Sequence, residues 1–369
     1  MTIYETRRAK LIEYLKQNDI RVAMIHDPEN IFYYTGFLSD PHERFMAYFI
    51  DVEKDEAYFF VPALDKDAAA LASQLDNIVP ISDDQLPFEV VKTHMPTLSG
   101  TIGIEARAVN YERYLLLIET FKGVAVENIQ PFINDERKRK SAEEIEKLRE
   151  ALRIIEQVLE EGLKKVYIGM TELELVSEFE MLMRKFGADG PSFSTIVLTG
   201  EKAALPHGSP GERTMQKGDF LLIDFGVIKD GYCSDITRTF IIGEASEEQR
   251  ERYNIVKASN EAGIKAVRAN APLKSFDSAA RQVIADAGYN EYFNNRVGHG
   301  LGIGLHEEPS VHGNNEEIAQ SGYVFTIEPG IYIPEWGGIR IEDTVYINEN
   351  GECEVLSSFP TELTVLCQS

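Results

Sequence analysis

Two acidic hairpins contain residue types from which a metal centre can be built. In segment 217–240, Asp224 and Asp235 flank the turn signal Lys229-Asp230-Gly231. A two-residue turn there predicts that the two carboxylates lie opposite each other, within one residue if the ladder contains a bulge. Asp224 follows an apolar run, where an unpaired carboxylate is costly and like charges repel. A cation between the two carboxylates would remove both penalties.

A second hairpin near the C-terminus repeats this design with glutamates. Glu328 and Glu342 each lie seven residues from Glu335, in strand-like segments joined at 334–336. Either acidic pair alone is equally compatible with a surface hairpin. Together with a histidine they provide four carboxylates and one imidazole, which suit two divalent ions such as Mn²⁺, Co²⁺ or Zn²⁺. The predicted metal ligands are Asp224, Asp235, His299, Glu328 and Glu342.

The segment GHGLGIGLHEE, residues 298–308, contains that histidine. His299 and His306 are seven residues apart, and a glycine occupies every second position from Gly298 to Gly304. This spacing is typical of an extended segment whose backbone lies close to a ligand, a metal or a second strand. A glycine-rich turn is the alternative interpretation. A dinucleotide-binding fingerprint is excluded, because neither a helix start nor an apolar run follows the glycines.

The composition restricts the class of protein. A length of 369 residues with 43% apolar residues is sufficient for two domains. A formal net charge of -24 disfavours nucleic acids and anionic membranes as partners, because both are bound through clustered Lys and Arg. Three cysteines without a CxxC pair argue against a disulfide framework and a thiolate zinc site. Since no signal peptide or membrane span is recognisable either, we expect a cytoplasmic protein.

Residues 1–132 are predicted to form an α/β domain. The predicted helices cover 4–18, 65–75 and 111–121, and the predicted strands cover 21–26, 46–51, 57–61, 101–105 and 124–128. The polar, turn-rich segment 33–44 contains Asp40, His42 and Arg44. These side chains either belong to a solvated loop or reach into a substrate site.

The charged segment 131–140 is the predicted boundary, and residues 133–369 form the predicted second domain. Capping boxes and helical spacing predict four helices in this domain. They begin at Ser141 with Glu144 as the box partner, at Thr171 with Glu174, at Ser246 with Gln249, and at about Phe276. Because each pair of helices is followed by strands, the order of elements indicates two similar halves.

This constellation resembles the pita-bread metallopeptidases, the family of methionine aminopeptidase, aminopeptidase P and prolidase. The motifs that carry the resemblance are DFG at Asp224, SDITRT at Asp235, GHGLGIGLHE at His299, IEPGIY at Glu328 and RIEDT at Glu342. The resemblance covers residues 141–369, and the preceding domain is similar to that of prolidase and aminopeptidase P. It implies a mixed α/β (α+β) chain, with an N-terminal creatinase-like domain and a C-terminal pita-bread domain with pseudo-twofold halves.

The resemblance also implies a mechanism that uses two metal ions, and Mn²⁺ is the expected metal. Asp224 and Asp235 would bind one ion, His299 and Glu328 would bind the other, and Asp235 and Glu342 would bridge them. A hydroxide between the ions, which lie roughly 3.5 to 4 Å apart in such sites, would attack the scissile carbonyl. Glu328 would then transfer the proton.

Further residues are predicted to contact the substrate or to orient a metal ligand. By resemblance, His207 and His306 contact the substrate and the developing oxyanion, and His312 is a weaker candidate. Arg340, two residues before Glu342, orients that carboxylate, binds a substrate carboxylate or forms an ordinary ion pair. Asn295 departs from the family pattern, because many relatives have a histidine there, and asparagine cannot become charged near neutral pH.

The segment GFLSDPHER resembles a loop of some bacterial prolidases that reaches the active site of the partner subunit. Asp40, His42 and Arg44 would then select the substrate in a homodimer. We therefore expect a dipeptidase that hydrolyses the Xaa-Pro bond of small peptides. The alternatives are an aminopeptidase P that acts on longer peptides, a metal-free creatinase-like hydrolase and a non-catalytic binding module.

Overall fold

The structure, a computed structural model, describes residues 2–73 and 75–367. It divides into two compact units, Met1–Glu136 and Arg137–Ser369. The division lies within the charged segment that the sequence suggests as a boundary, four residues after position 132. Across the described ranges, no helix is both long enough and apolar enough to cross a membrane.

The first unit combines helices with a mixed six-stranded sheet. Its helices are α1 (Ile3–Gln17), α2 (Pro28–Thr35), α3 (Lys66–Ser73), α4 (Pro87–His94), α5 (Tyr111–Thr120) and α6 (Gln130–Lys138), the last of which crosses the division between the units. Its strands are β1 (Val22–Ile25), β2 (Ala47–Asp51), β3 (Glu56–Pro62), β4 (Ile78–Ile81), β5 (Thr101–Ile104) and β6 (Ala125–Asn128).

The strand order β4-β3-β2-β1-β5-β6 places β1 near the centre of this sheet. Strand β1 pairs antiparallel with β2 and parallel with β5. Val22, Phe49, Phe60 and Ile102 of the sheet share one buried cluster with Leu117 of α5. Burial of these apolar side chains is the main favourable contribution to the folding of this unit.

Helix α2 is a feature that the sequence prediction missed, because it assigned Tyr33–Thr35 to a polar, turn-rich segment. The side chain of Asp27 accepts hydrogen bonds from the backbone amides of Glu29 and Asn30, and Pro28 occupies the first turn. Asp followed by Pro is a helix-start signal. The helix is short and rich in aromatic residues of modest helix propensity, so burial rather than propensity stabilises it.

The second unit contains two pairs of helices, each followed by strands. Its helices are α7 (Ala142–Leu163), α8 (Glu172–Lys185), α9 (Glu247–Ala266) and α10 (Lys274–Asp286). The strands between the two pairs are β7 (Gly190–Pro191), β8 (Ile196–Thr199), β9 (Phe220–Phe225), β10 (Val227–Lys229), β11 (Tyr232–Cys233) and β12 (Ile236–Ile242). The later strands are β13 (Gly298–Gly300), β14 (Glu307–Val311), β15 (Val324–Ile327), β16 (Gly330–Ile333), β17 (Gly337–Arg340), β18 (Asp343–Ile347), β19 (Cys353–Val355) and β20 (Val365–Leu366).

Three predicted capping boxes are present at the starts of α7, α8 and α9. In each box, the N-cap hydroxyl accepts from the backbone amide three residues later, and the side chain there accepts from the N-cap amide. The reciprocal hydrogen bonds satisfy amides that have no partner within the helix. The pairs are Ser141 with Glu144, Thr171 with Glu174, and Ser246 with Gln249.

The predicted pairing of Asp224 with Asp235 is wrong by two residues. Asp224 pairs with Thr237 in the β9–β12 ladder, so Asp235 is a diagonal neighbour on the same face. The reason is the turn, whose central residues are Asp230 (φ 49°) and Gly231 (φ 78°) rather than Lys229 and Asp230. A tight hairpin turn with positive φ at both centres suits Asp-Gly. A shift of two residues leaves each side chain on its original face, so both carboxylates still point the same way.

The glutamate hairpin has the predicted register. Ile327 pairs with Asp343 and Gly330 pairs with Arg340. The positions between these two pairs therefore place Glu328 and Glu342 at matching points of the hairpin. The prediction from counting outward from Glu335 is confirmed.

The glycine-rich segment 298–308 begins in β13, passes through bends at 302–306 and ends in the first two residues of β14. Its glycines nevertheless serve the predicted purpose of close strand approach. A Cβ atom on Gly298 would overlap the carbonyl oxygen of Thr326, and one on Gly300 would overlap that of Glu308. The backbone of His299 is therefore held tightly between its neighbouring strands.

This close packing predicts that Gly298→Ala destabilises the protein by about 1–3 kcal/mol, because backbone rather than a flexible side chain blocks the added methyl group. Urea unfolding of both proteins measures the difference. Gly313→Ala is the control, because its added Cβ would have its nearest neighbour, Asp277 Oδ2, at 3.4 Å. Equal stability of the Gly298→Ala variant and the control would contradict the prediction.

Candidate metal centre

A cavity of about 350 Å³ in the second unit brings the predicted ligands together. Its lining includes Asp224, Asp235, His299, Glu328 and Glu342, together with His207, His306 and Arg340. Asp224 lies near the end of β9, and Asp235 immediately precedes β12. Glu328 immediately follows β15, and Glu342 immediately precedes β18. The ligands thus lie at the ends of strands, where the backbone is fixed by the ladders.

Three of these residues form the tightest group. Asp235, His299 and Glu342 are buried, and one ligand atom from each lies within 4.8 Å of the others. The Nε2 atom of His299 lies 3.5 Å from Asp235 Oδ2 and 3.4 Å from Glu328 Oε1. Its Nδ1 atom lies 3.1 Å from the carbonyl oxygen of Gly300, to which the Nδ1–H tautomer donates. In that tautomer a lone pair on Nε2 faces the carboxylates, an arrangement that a cation between them stabilises.

Unsatisfied oxygen atoms provide a test of whether a cation fits. Asp224 Oδ1, Asp235 Oδ1 and Glu342 Oε1 are buried and have no hydrogen-bond partner among the described residues. Buried carboxylate oxygens without partners are costly, and hard divalent ions prefer such oxygen ligands. The residues therefore fit a divalent metal site.

The electrostatics of the cavity agree with this interpretation. Burial, followed by the charges of Glu342 and Asp224, raises the pKa of Asp235 well above its ordinary value. Burial and the neighbouring Glu328 raise the pKa of Glu342 in the same way. Burial also raises the pKa of Glu328 to about 7, whereas burial lowers that of His299 to about 3. The surroundings therefore disfavour the ionised forms of these three carboxyl groups. They also keep the imidazole neutral, which is the form that binds metals.

A guanidinium group and a hydroxyl group donate hydrogen bonds to two of the carboxylates and orient them. Arg340 pairs with Asp224 Oδ2 and donates to the hydroxyl oxygens of Tyr332 (2.8 Å) and Thr237 (3.0 Å). The Thr237 hydroxyl in turn donates to Glu342 Oε2 at 2.7 Å. Of the three roles predicted for Arg340, the ion pair is observed, but with Asp224. Arg340 is connected to Glu342 through the hydroxyl group of Thr237, which accepts from Arg340 and donates to Glu342.

Buried side chains also fix the backbone beside both glutamates. Asn260 of α9 donates from Nδ2 to the carbonyl oxygens of Ile327 (3.0 Å) and Ile341 (3.4 Å), the residues that directly precede Glu328 and Glu342. Thr326 donates its hydroxyl to Glu328 Oε1 at 3.2 Å. One amide therefore ties together the two arms that carry the glutamates.

The histidines predicted to contact the substrate lie in the same cavity. The rings of His306 and His299 are 4.1 Å apart, centroid to centroid, in an edge-to-face arrangement. Burial, then the charge of Arg296, lowers the pKa of His306. His207 follows the 3₁₀ helix Gly200–Ala204 and lines the cavity beside them. His306 is therefore a neutral hydrogen-bonding group near neutral pH.

Other predicted site residues lie elsewhere. His312 is outside the cavity lining, and its Nδ1 accepts from the backbone amide of Asn314 at 3.2 Å. In the first unit, Asp40 and His42 are largely exposed. Arg44 makes a bidentate pair with Asp83, at 2.8 and 3.1 Å. The substrate roles of these residues stay predictions.

Sequence reasoning missed several residues that support the cavity without lining it. Thr237 lies two residues after Asp235, and Thr326 lies two residues before Glu328. Because side chains two apart in a strand share a face, this spacing was a usable signal. Asn260 gave no such signal, because its contacts are to residues more than sixty positions away. Asn295 lines the cavity, and its Oδ1 is another buried acceptor without a partner among the described residues.

The fold and the site together define a metallopeptidase. The sequence profile of metallopeptidase family M24 matches residues 146–349, and that of the creatinase/prolidase N-terminal domain matches residues 7–139. The chain is 38% identical to "Putative dipeptidase YkvY" of Bacillus subtilis (strain 168), over 98% of this chain and 99% of that protein.

Solved structures agree with the profiles. The Xaa-Pro dipeptidase from Bacillus anthracis superimposes with a TM-score of 0.90 at 31% identity, covering 98% of this chain and 100% of that one. The X-Pro aminopeptidase from Thermotoga maritima MSB8 has a TM-score of 0.85 at 31% identity, covering 94% and 98% of the respective chains. The chain belongs to metallopeptidase family M24, with a creatinase-like domain followed by a pita-bread domain. As a metallopeptidase of this family, it uses a divalent metal.

A buried ion triad anchors the segment that carries the two site histidines. Glu307 pairs with Arg137 and, at 2.9 Å, with Lys140, and it accepts from the Gly304 amide at 2.8 Å. Burial alone would raise the pKa of Glu307, but the two cations hold it at about 2. Glu307 therefore contributes stability that is present above about pH 4.5 and is lost as the pH falls towards 2.

Glu307→Gln is expected to destabilise the protein by about 3–5 kcal/mol at neutral pH, because it removes the buried negative charge that pairs with Arg137 and Lys140. The difference from wild type should shrink as the pH falls below about 4.5. Denaturant unfolding over this pH range measures both effects. Glu354→Gln removes a partly exposed pair with Arg149 and should cost no more than about 1 kcal/mol. A Glu307 effect as small as that of the control would contradict the buried triad.

The raised carboxylate pKa values predict how metal binding depends on pH. In the metal-free protein, the raised pKa values of Asp235, Glu328 and Glu342 favour their protonated forms as the pH falls, and ionising them at higher pH costs stability. Metal must displace these protons, so the increase in melting temperature caused by Mn²⁺ should be larger at about pH 8 than at about pH 5. Thermal unfolding with and without Mn²⁺ checks this. A larger increase at pH 5 would contradict the assignment.

Proposed function

We propose that the protein is an Xaa-Pro dipeptidase that uses two divalent metal ions, with Mn²⁺ as the expected metal and Co²⁺ or Zn²⁺ as alternatives. The observation that supports this most strongly is the convergence of four carboxylates and one imidazole on one cavity, with three carboxylate oxygens lacking partners among the described residues. The names of similar proteins support the substrate class, since they include a dipeptidase and an Xaa-Pro dipeptidase.

The chain's own residues would share the work of hydrolysis. Asp224 and Asp235 would hold one ion, and His299 and Glu328 would hold the other, with Asp235 and Glu342 shared between them. When bound, divalent ions acidify water and polarise a carbonyl group. Glu328, which lines the cavity and lies 3.4 Å from His299 Nε2 through its Oε1 atom, would hold the proton that passes to the leaving proline nitrogen.

The histidines would stabilise charge on the substrate. His306 and His207 line the cavity next to the ligand cluster, where each can donate one hydrogen bond to the oxygen that becomes negative. His306 is held beside His299 by the bends between β13 and β14.

We also propose a cytoplasmic homodimer in which the first domain contributes to substrate selection. The exposed side chains of Asp40 and His42 support this role, because they are available to a second copy. Arg44 would act by holding the loop, since Asp83 already occupies its guanidinium group. The odd number of cysteines supports a reducing compartment.

The main alternative is an Xaa-Pro aminopeptidase that acts on longer peptides, which the similarity to the Thermotoga maritima enzyme supports. A metal-free creatinase-like hydrolase is disfavoured, because it would leave three buried carboxylate oxygens without a partner among the described residues. A non-catalytic binding module is disfavoured because all five ligand positions carry residues that can bind metal.

The substrate class is tested with peptides of different length. We expect the Mn²⁺-loaded protein to hydrolyse Leu-Pro and Gly-Pro with a higher kcat/KM than Xaa-Pro peptides of three or more residues. Quantifying released proline or the shortened peptide by chromatography gives both values. Preference for the longer peptides would establish the aminopeptidase alternative instead.

The metal requirement is tested with Asp235→Asn. Because Asp235 is proposed to contact both ions, the variant should lose at least about 1,000-fold in activity and most of its bound metal. Asp230→Asn, in the exposed turn of the same hairpin, is the control and should retain both. Metal content is measured by mass spectrometry after dialysis. Full activity of the metal-stripped wild type would contradict the mechanism.

A further inference from the structure

Arg296 is a second cavity arginine whose role differs from that of Arg340. The charge of Arg340 is compensated by Asp224. Arg296 lines the same cavity, but among the described residues it has no carboxylate within ion-pair distance. Its Nη1 donates to the hydroxyl oxygen of Ser310 at 3.0 Å. A guanidinium group in a partly buried cavity without an anionic partner is a site that lacks its counter-charge.

The backbone that carries Arg296 is firmly held. Arg281 of α10 donates to the carbonyl oxygens of Phe293 (2.8 Å) and Asn295 (2.9 Å). Asp277, on the same helix, accepts from the amide of Val297 at 3.2 Å. These bonds fix the chain on both sides of Arg296, and Ser310 fixes its side chain. The guanidinium group is therefore preorganised rather than free to follow solvent.

Arg296 also lies near the groups proposed to act on the scissile bond. Arg296 lines the cavity together with His299, His306 and Glu328. An anion bound at Arg296 would therefore lie next to the proposed reaction centre.

We propose that Arg296, braced by Ser310, binds the free carboxylate of the C-terminal proline of a dipeptide and makes the enzyme selective for dipeptides. The proposal rests on the proposed Xaa-Pro hydrolysis. A planar guanidinium group matches a carboxylate through charge-assisted, often bidentate hydrogen bonds. In a longer peptide an uncharged amide replaces that carboxylate, so the substrate supplies no negative charge to the guanidinium group of Arg296.

The test compares Leu-Pro with Leu-prolinamide, which differ only in this carboxylate. Wild type should favour Leu-Pro by about 100-fold in kcat/KM, mainly through KM, because a charge-assisted hydrogen-bond pair is lost with the amide. Arg296→Met keeps the side-chain length without the charge and should reduce the preference to about threefold or less. Ser310→Ala should give an intermediate preference, and Arg250→Met, on the exposed face of α9, should behave as wild type.

Binding of free proline gives a second, activity-independent measurement. By calorimetry, wild type and Arg250→Met should bind proline more tightly than prolinamide, and Arg296→Met should bind both equally weakly at an unchanged melting temperature. A preference for Leu-Pro that survives in Arg296→Met, or unchanged proline binding, would overturn the assignment of Arg296. A wild type that hydrolyses neither substrate would overturn the proposed function instead, and proline binding would still decide the role of Arg296.

Discussion

Repulsion among buried carboxylates is the constraint on which the second unit depends. Asp224, Asp235, Glu328 and Glu342 share one cavity, and burial and mutual repulsion raise the pKa of Asp235 and Glu342 well above ordinary values. A fold that keeps these groups together must compensate them with a cation, and it must also hold them still. Arg340 and the hydroxyl of Thr237 hold them from one side, while Asn260 fixes the backbone before both glutamates.

The parts of this arrangement that could be predicted are those encoded locally. Capping boxes mark helix starts, and the spacing about Glu335 gives the register of the glutamate hairpin. The aspartate hairpin shows the limit of counting. Its residues favour either of two turn positions, and the positive φ angles required by the turn select Asp230-Gly231. The error of two residues left the site intact, because strand faces repeat with the same period.

The supports of the site were not predictable from the sequence, because they join distant segments. The contact of Asn260 with Ile327 and the pairing of Arg340 with Asp224 span 67 and 116 residues. Spacing along the chain carries no information about such contacts. The same limit explains why the sequence leaves Arg340 with alternative roles that include binding a substrate carboxylate. Only the structure shows that Asp224 already engages it and that Arg296 has no comparable partner among the described residues.

The carboxylates and His299 are proposed to form a two-metal centre. The most direct measurement is anomalous diffraction from crystals of the protein grown with Mn²⁺. Two strong anomalous peaks are expected in the cavity, one beside Asp224 and the other beside His299, with Asp235 and Glu342 in contact with both. A cavity without anomalous density, in crystals of active protein, would contradict the proposed two-metal centre.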